Sequence, residues 1–261
     1  MDTRPLQNRH ALVCGASRGI GRATAKTLAA RGATVTCLAR NEAALNTLVA
    51  EIEADGGAAR TLIADLDDTD GLSSAIDALV QAHGTLHIVI HNTGGPPSGA
   101  LTEATSEALT TAYRRHVLSA QAIMQRALPG MADCAYGRFI QVLSTSVREP
   151  IPNLGVSNLT RAAMASWAKT LSREFPAGVT INNILPGFTD TDRLTELKES
   201  ISAKRGVSVE DVHSGWLAQV PEGRLAQPEE TAAAIAFLVS PDAGYIRGVS
   251  LAVDGGRLRS I

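Results

Sequence analysis

Short runs of apolar residues alternate along the chain with longer segments whose apolar positions recur at helical spacing. Seven runs predict strands, at 11–14, 34–38, 59–64, 87–91, 138–143, 179–185 and 249–253. Six segments predict helices, near 20–31, 41–55, 69–83, 105–128, 155–175 and 228–239. Because each run is continuously apolar, both faces of its strand are expected to be covered. The alternation predicts an α/β fold, with one doubly wound parallel sheet and helices on both faces.

One segment, 188–224, interrupts this alternation. It is polar and helical in pattern, and it is too long for a plain connection. No Pro- or Ser-rich linker, low-complexity segment or repeat divides the chain, so 1–261 are expected to form a single domain. Because the segment follows the carboxyl end of a predicted strand, we interpret it as a helical lid over a substrate. The alternative is that 188–224 is an ordinary surface segment that does not cover a substrate.

Composition narrows the partners that the chain is expected to have. A net charge of −2 and a pI near 6.3 favour neither a nucleic acid nor an anionic membrane. No apolar run approaches the length of a membrane span, and the first residues lack the apolar region of a secretory signal. The scattered Cys14, Cys37 and Cys134 predict neither disulfides nor a metal site. We therefore expect a cytoplasmic protein that acts on a small molecule.

A glycine-rich turn directly follows the first predicted strand. Gly15 ends the strand, and Gly19 and Gly21 stand where the first helix begins. Glycine permits a tight turn and lets backbone amides approach a pyrophosphate, which the positive end of the helix also attracts. The turn therefore predicts dinucleotide binding, with Ser17, Arg18 and Ile20 between the glycines.

The second predicted strand indicates which nicotinamide cofactor is bound. Folds that bind NAD commonly place a carboxylate near the end of this strand, to accept hydrogen bonds from ribose hydroxyls. Here the strand ends without an acid before Glu42, whereas Arg40 and Arg18 are available for charge-assisted hydrogen bonds to a 2′-phosphate. The sequence therefore favours NADP(H) over NAD(H). The alternative is that both arginines are solvated surface residues.

The spacing of the glycines and several later motifs resemble the short-chain dehydrogenase/reductase family over nearly the whole chain. These motifs are Asp65-Leu66, His91-Asn92-Thr93-Gly94, the Pro-Gly-x-x-x-Thr element at 186–191, and the tail at 223–256. Within the family, the chain resembles 3-oxoacyl-acyl-carrier-protein reductase-like members. The resemblance implies a Rossmann-like nucleotide-binding domain and, through the tail, a homo-oligomer (tetramer or dimer). The expected cofactor-binding residues are Gly15, Ser17, Arg18, Gly19, Ile20, Gly21, Arg40, Asp65, Leu66, Asn92, Gly94, Arg161, Pro186, Gly187, Thr189 and Thr191.

The catalytic segment departs from that family. Members that reduce carbonyls use a serine, a tyrosine thirteen residues later, a lysine four further on, and an asparagine on a preceding helix. Ser144 fits the serine, but the tyrosine, lysine and asparagine positions are occupied by Ser157, Arg161 and His116. These four residues are the candidate catalytic residues. Ser144 and Ser157 could instead satisfy backbone groups, and His116 could be a core histidine.

The substitutions at these positions still allow hydride transfer to a substrate, but the proton has to come from a group other than tyrosine. A serine hydroxyl is a much weaker acid than a phenol, and an arginine stays charged. We expect Ser144 and Ser157 to polarise the substrate while water or His116 supplies the proton. The predicted function is NADP-dependent oxidoreduction of a carbonyl, an alcohol or an activated double bond in a small or acyl substrate. The alternatives are a catalytically lapsed nucleotide-binding protein and a non-redox lyase or dehydratase.

Overall fold

The structure is a computed structural model and describes residues 4–260. Seven parallel strands form one sheet in the order β3-β2-β1-β4-β5-β6-β7. The strands are β1 (His10–Cys14), β2 (Thr34–Ala39), β3 (Ala58–Ile63), β4 (Ile88–Asn92), β5 (Gly137–Val142), β6 (Val179–Pro186) and β7 (Ser250–Val253). Each predicted strand is present, which confirms the α/β parallel-sheet prediction.

The α-helices mostly follow the predicted segments. They are α1 (Gly19–Ala30), α2 (Glu42–Ala54), α3 (Thr69–His83), α4 (Ser106–Tyr113), α5 (Ser119–Asp133), α6 (Gly155–Glu174), α7 (Asp192–Arg205), α8 (Val209–Leu217) and α9 (Pro228–Leu238). The single helix predicted near 105–128 differs, because a π-helical turn at Arg114–Leu118 separates α4 from α5. Such wide turns within helices are frequent at functional sites.

Both faces of the sheet are covered, as the continuous apolar runs predict. Along β1, Ala11 and Val13 pack into one core cluster, whereas Leu12 and Cys14 pack into another. Successive side chains of a strand point to opposite faces, so the two clusters lie on opposite sides of the sheet. Residues of α1, α2 and α9 complete the first cluster, and residues of α3, α5 and α6 complete the second. The sheet is therefore doubly wound.

The strand order changes direction between β1 and β4. The chain proceeds from β1 to β2 on one side of the sheet and then returns to place β4 on the other side of β1. Connections that leave in opposite directions open a crevice at the carboxyl ends of the strands, where parallel sheets bind ligands. Asn92 ends β4 here, and its Nδ2 lies 3.4 Å from the carbonyl oxygens of Cys14 and Gly15. The crevice is thus braced at its base.

The segment 188–224 contains α7 and α8. Trp216 of α8 is 8% exposed, and its ring stacks on Phe188 with the centroids 5.0 Å apart. This contact holds α8 against the start of the segment, so Trp216 has a packing role within 188–224. A parallel bridge between Thr189 and Ala226 brings the two ends of the segment together. Across 4–260, no helix is both long and apolar enough to cross a membrane.

Candidate active site

A cleft of about 910 Å³ lies at the carboxyl edge of the sheet. Most of the residues predicted from the sequence line it: Gly15, Ser17, Arg18, Gly19, Ile20, Arg40, Asp65, Leu66, Asn92, Gly94, Ser144, Ser157, Arg161, Pro186, Gly187, Thr189 and Thr191. Two predicted residues, Gly21 and His116, are buried and do not line the cleft. The candidate cofactor and catalytic residues therefore share one space.

The glycine-rich turn is shaped for a close approach by another group. Gly15 has φ +62°, a conformation that favours glycine, and a Cβ there would lie 2.7 Å from both the Nδ2 and the backbone oxygen of Asn92. A Cβ at Gly21 would lie 2.2 Å from the carbonyl oxygen of Gly15. Because α1 begins at Gly19, its first backbone amides face the cleft end of this turn. The turn therefore fits a pyrophosphate.

Two arginines stand at the end of the cleft formed by β1 and β2. Arg40 Nη1 lies 3.5 Å from Asp65 Oδ2, and Arg18 Nη1 lies 3.0 Å from Glu196 Oε1 on α7. Their side chains are 73% and 56% exposed, so both guanidinium groups are open to solvent and to a ligand. Such exposed ion pairs contribute little stability and can exchange partners. Two exposed guanidinium groups are therefore available to an anionic ligand at this end of the cleft.

Ser144, Ser157 and Arg161 all line the cleft, and Ser157 and Arg161 are joined by a hydrogen bond. Ser144 Oγ accepts a hydrogen bond of 3.1 Å from the Ser146 amide, so this serine does cap a backbone turn. Ser157 lies in the first turn of α6, and its Oγ accepts from Arg161 Nε at 3.3 Å. Burial, and secondarily the charge of Arg193, lower the pKa of Arg161 to about 10. Arg161 remains charged at neutral pH.

Backbone carbonyls fix the guanidinium of Arg161. Its Nη1 donates to the carbonyl oxygens of Val142 and Leu143, at 3.1 and 2.8 Å. These carbonyls belong to the end of β5 and the residue after it. The end of the sheet therefore holds the cation beside the Ser157 hydroxyl and against the carbonyl of Leu143, the residue before Ser144.

His116 lies in the π-helical turn and is 1% exposed. Its Nδ1 is 2.7 Å from the hydroxyl of Thr93, which does line the cleft. Burial, followed by the nearby charge of Arg161, lowers the pKa of His116 to about 2. The imidazole is therefore neutral near pH 7 and reaches the cleft only through Thr93.

Reasoning from the sequence missed several further residues of the cleft, among them Thr93, Arg193 and Arg115. Thr93 lies within the His91-Asn92-Thr93-Gly94 motif, a position that could have marked it. Arg193 closely follows the Pro-Gly-x-x-x-Thr element, and its Nη2 donates to the carbonyl oxygen of Pro96 at 3.2 Å across the cleft. Arg115 is paired with Asp67, with Nε 2.8 Å from Oδ1, and no local sequence signal indicates it.

The fold and the cleft together define the class of protein. A doubly wound parallel sheet places a glycine turn and a helix N-terminus at its switch point, as nucleotide-binding α/β proteins do. Hydroxyl and guanidinium groups occupy the same cleft. Within 4–260, no group of His, Cys, Asp and Glu side chains is arranged to hold a metal ion. The cleft thus lies where nucleotide-binding α/β proteins bind their ligands.

Comparison with known proteins identifies the family. The family model described as enoyl-(acyl carrier protein) reductase matches residues 15–257. The 3-oxoacyl-[acyl-carrier-protein] reductase FabG of Vibrio cholerae is 33% identical over 254 residues, covering 96% of this chain and 98% of that protein. The chain therefore belongs to the short-chain dehydrogenase/reductase family of NAD(P)-dependent oxidoreductases, which confirms the resemblance seen in its motifs.

Other relatives match over nearly their full length. The NADPH-dependent reductase BacG of Bacillus subtilis is 28% identical over 259 residues. The match covers 98% of this chain and 100% of BacG. The crystal structure of YwfH, an NADPH-dependent reductase involved in bacilysin biosynthesis, has a TM-score of 0.92 at 28% identity, with 97% and 99% coverage. L-Sorbose reductase from Gluconobacter frateurii, complexed with NADPH and L-sorbose, has a TM-score of 0.93 at 25% identity, with both chains covered fully.

Proposed function

We propose that this protein is an NADPH-dependent reductase of a carbonyl or an activated double bond in a small or acyl substrate, with a proton donor other than tyrosine. One observation carries the proposal: Ser144, Ser157 and Arg161 line the same cleft as the glycine turn. Hydride acceptance places negative charge on the substrate oxygen. Hydroxyl donors and a fixed cation are the groups that stabilise such charge.

NADPH, when bound, supplies the hydride. Gly15, Gly19 and the start of α1 would hold its pyrophosphate, and Arg18 and Arg40 would hold its 2′-phosphate. The names of two relatives, BacG and L-sorbose reductase, support NADPH over NADH. The remaining cofactor contacts are proposed for the predicted residues that line the cleft, whereas Gly21 acts by allowing the turn to close.

The two serines would donate hydrogen bonds that polarise the substrate, and neither would be the source of the proton that the product gains. Ser157 Oγ accepts from Arg161 and Ser144 Oγ accepts from a backbone amide, so each hydroxyl hydrogen is available for a substrate oxygen. Because serine is a weak acid, the net proton is supplied by water that enters the cleft. Neutral His116 acts as a positioning residue, which orients the Thr93 hydroxyl at the cleft wall.

The segment 188–224 is proposed to cover the substrate within a single domain of residues 1–261. Leu194 and Leu197 of α7 line the cleft, and Arg193 reaches across it to Pro96. We also propose a cytoplasmic homo-oligomer, a tetramer or a dimer. Apolar side chains near the edge strand β7 support this assembly, since Phe237, Tyr245, Val249 and Leu251 are exposed.

The test measures cofactor binding and hydride transfer separately. NADPH and NADH are titrated by fluorescence, and NADPH oxidation is followed with ketones, enones and acyl thioesters. Ser144→Ala and Ser157→Ala are expected to lower kcat by about 10²-fold or more while leaving NADPH affinity unchanged. Ser106→Ala, on exposed α4 outside the cleft, is the matched control and should retain full activity.

The alternative functions give different results in the same experiment. Tight NADPH binding without any hydride acceptor would favour a lapsed enzyme. That conclusion would be strengthened if only the double variant Ser157→Tyr with Arg161→Lys reduced a carbonyl. Turnover with no change in the NADPH absorbance would indicate a lyase or a dehydratase.

A further inference from the structure

The catalytic end of the cleft holds a guanidinium group whose charge has no acidic partner. Arg161 uses Nη1 and Nε on two backbone carbonyls and Ser157, and within 4–260 its Nη2 makes no hydrogen bond. Gly95 lies beside this atom: a Cβ at Gly95 would lie 3.6 Å from Nη2 and, its chain neighbours apart, would meet no other atom of 4–260 within 4 Å. No ion pair in the described chain includes Arg161. Glycine at position 95 thus leaves the cation accessible from the cleft.

A second cation lines the same region. Arg193 lies in the first turn of α7, where its Nη1 is 3.5 Å from Glu196 Oε2. Glu196 is shared with Arg18, whose Nη1 lies closer, at 3.0 Å. The charge of Arg193 also contributes to the lowered pKa of Arg161, so the two guanidinium groups act on each other. Like charges facing one cleft repel, and an anion bound between them would relieve that repulsion.

Apolar side chains line the same cleft as the two arginines. They include Leu143, Leu154, Leu194 and Leu197. A ligand that satisfies both surfaces has an anionic group joined to a hydrocarbon body. Planar guanidinium groups match a carboxylate especially well, through paired charge-assisted hydrogen bonds.

We propose that Arg161 and Arg193 form a carboxylate-binding subsite, and that the substrate is a free oxo or enone carboxylic acid with an apolar body. This inference rests on the proposed reductase function and names its substrate class. In the carbonyl case, a hydride adds to the oxo carbon and the C=O π pair moves to oxygen. Oxygen takes a proton from water, NADPH becomes NADP⁺, and the carboxylate is unchanged. The uncharged region beside a thioester carbonyl would leave Arg161 without an anionic partner.

The experiment compares acids with their uncharged esters. The probes are 2-oxo-, 3-oxo- and 4-oxohexanoate, each beside its methyl ester, and binding to the NADP⁺-loaded and the coenzyme-free protein is measured by calorimetry. At least one acid is expected to bind about tenfold or more tightly than its ester, the ratio that one charge-assisted contact provides. Arg193→Gln should remove this preference and leave ester binding unchanged.

Two further variants separate the subsite from general effects of charge or folding. Arg205→Gln removes an exposed arginine from the last turn of α7 and should keep the full acid preference. Gly95→Ala places a methyl group over Arg161 Nη2 and should weaken acid binding more than ester binding. If every acid binds no better than its ester, or if Arg205→Gln removes the preference as fully as Arg193→Gln, the subsite is refuted.

Hydride transfer is measured on the same probes and tests the other proposal. Acid binding that depends on Arg193, without NADPH oxidation by any acceptor, would support the subsite and overturn the reductase. Reduction of esters and thioesters with no preference for acids would support the reductase and overturn the subsite. The two proposals can therefore fail independently.

Discussion

Three buried histidines make acid destabilisation the most quantitative prediction from this structure. His10, His91 and His116 are 6%, 2% and 1% exposed. Burial is the main cause that lowers their pKa values from 6.5 to about 4, about 4 and about 2. Each histidine is therefore neutral in the folded protein at pH 5.5, whereas in the unfolded chain it is largely protonated. Stability is full above pH 6.5 and is lost as the pH falls towards the folded values.

The size of the effect follows from the unfolded value. Between pH 7.5 and 5.5, each histidine is expected to destabilise the fold by about 1.3 kcal/mol, and the three together by about 4 kcal/mol. The lowered pKa of His87, also caused mainly by burial, acts in the same direction. Carboxylates contribute little here, because they titrate mainly below this range.

Urea unfolding followed by circular dichroism, at half-unit steps of pH and fixed protein concentration, measures this loss. The slope near pH 5.5 should correspond to about three protons taken up on unfolding. His116→Asn should lower the slope by about one proton, whatever its effect on absolute stability. Ser106→Ala, which changes no titratable group on exposed α4, is the control and should keep the full slope. Equal stability at pH 7.5 and 5.5 would refute the reasoning.

Two predictions concern the cofactor end of the cleft. Gly21→Ala forces a Cβ against the Gly15 carbonyl oxygen and should raise the Kd for NADPH at least tenfold by calorimetry, with a destabilisation of about 1–3 kcal/mol. Gly215→Ala, which meets no atom within 4 Å, is its control, and equal losses in both variants would contradict this account. Arg18→Ala and Arg40→Ala should each weaken NADPH binding about tenfold and leave NADH affinity unchanged, because only NADPH carries the 2′-phosphate. If the variants lost affinity for NADPH and NADH equally, the two arginines would not be the residues that bind the 2′-phosphate.

The fold could be predicted from the sequence because strand-like and helix-like segments alternate along most of the chain. Mostly apolar runs without alternation, such as 138–143, are typical of strands covered on both faces, and β5 is buried along its whole length. The π-helical turn at 114–118 could not be predicted, since helical periodicity continues through it and no residue there marks a wider turn.

The site was predicted only in part, for a similar reason. Glycine spacing identifies the turn that receives a dinucleotide, because its backbone geometry demands glycine. Contacts between distant segments leave no such local signal. The hydrogen bond between Thr93 and His116 joins residues 23 positions apart, and Arg193 meets Pro96 across 97 positions. Only the folded chain brings these groups together.

The brace between Asn92 and the glycine turn has a consequence for binding kinetics and affinity. Side-chain and backbone atoms of Asn92 occupy the space behind Gly15, so the loop is held in shape from the neighbouring strand β4 before any ligand arrives. A preorganised receptor loses little conformational entropy on association, and most of the interaction free energy then appears as affinity. Binding of the proposed coenzyme should therefore leave the floor of the crevice unchanged, and no slow rearrangement of this turn should precede association.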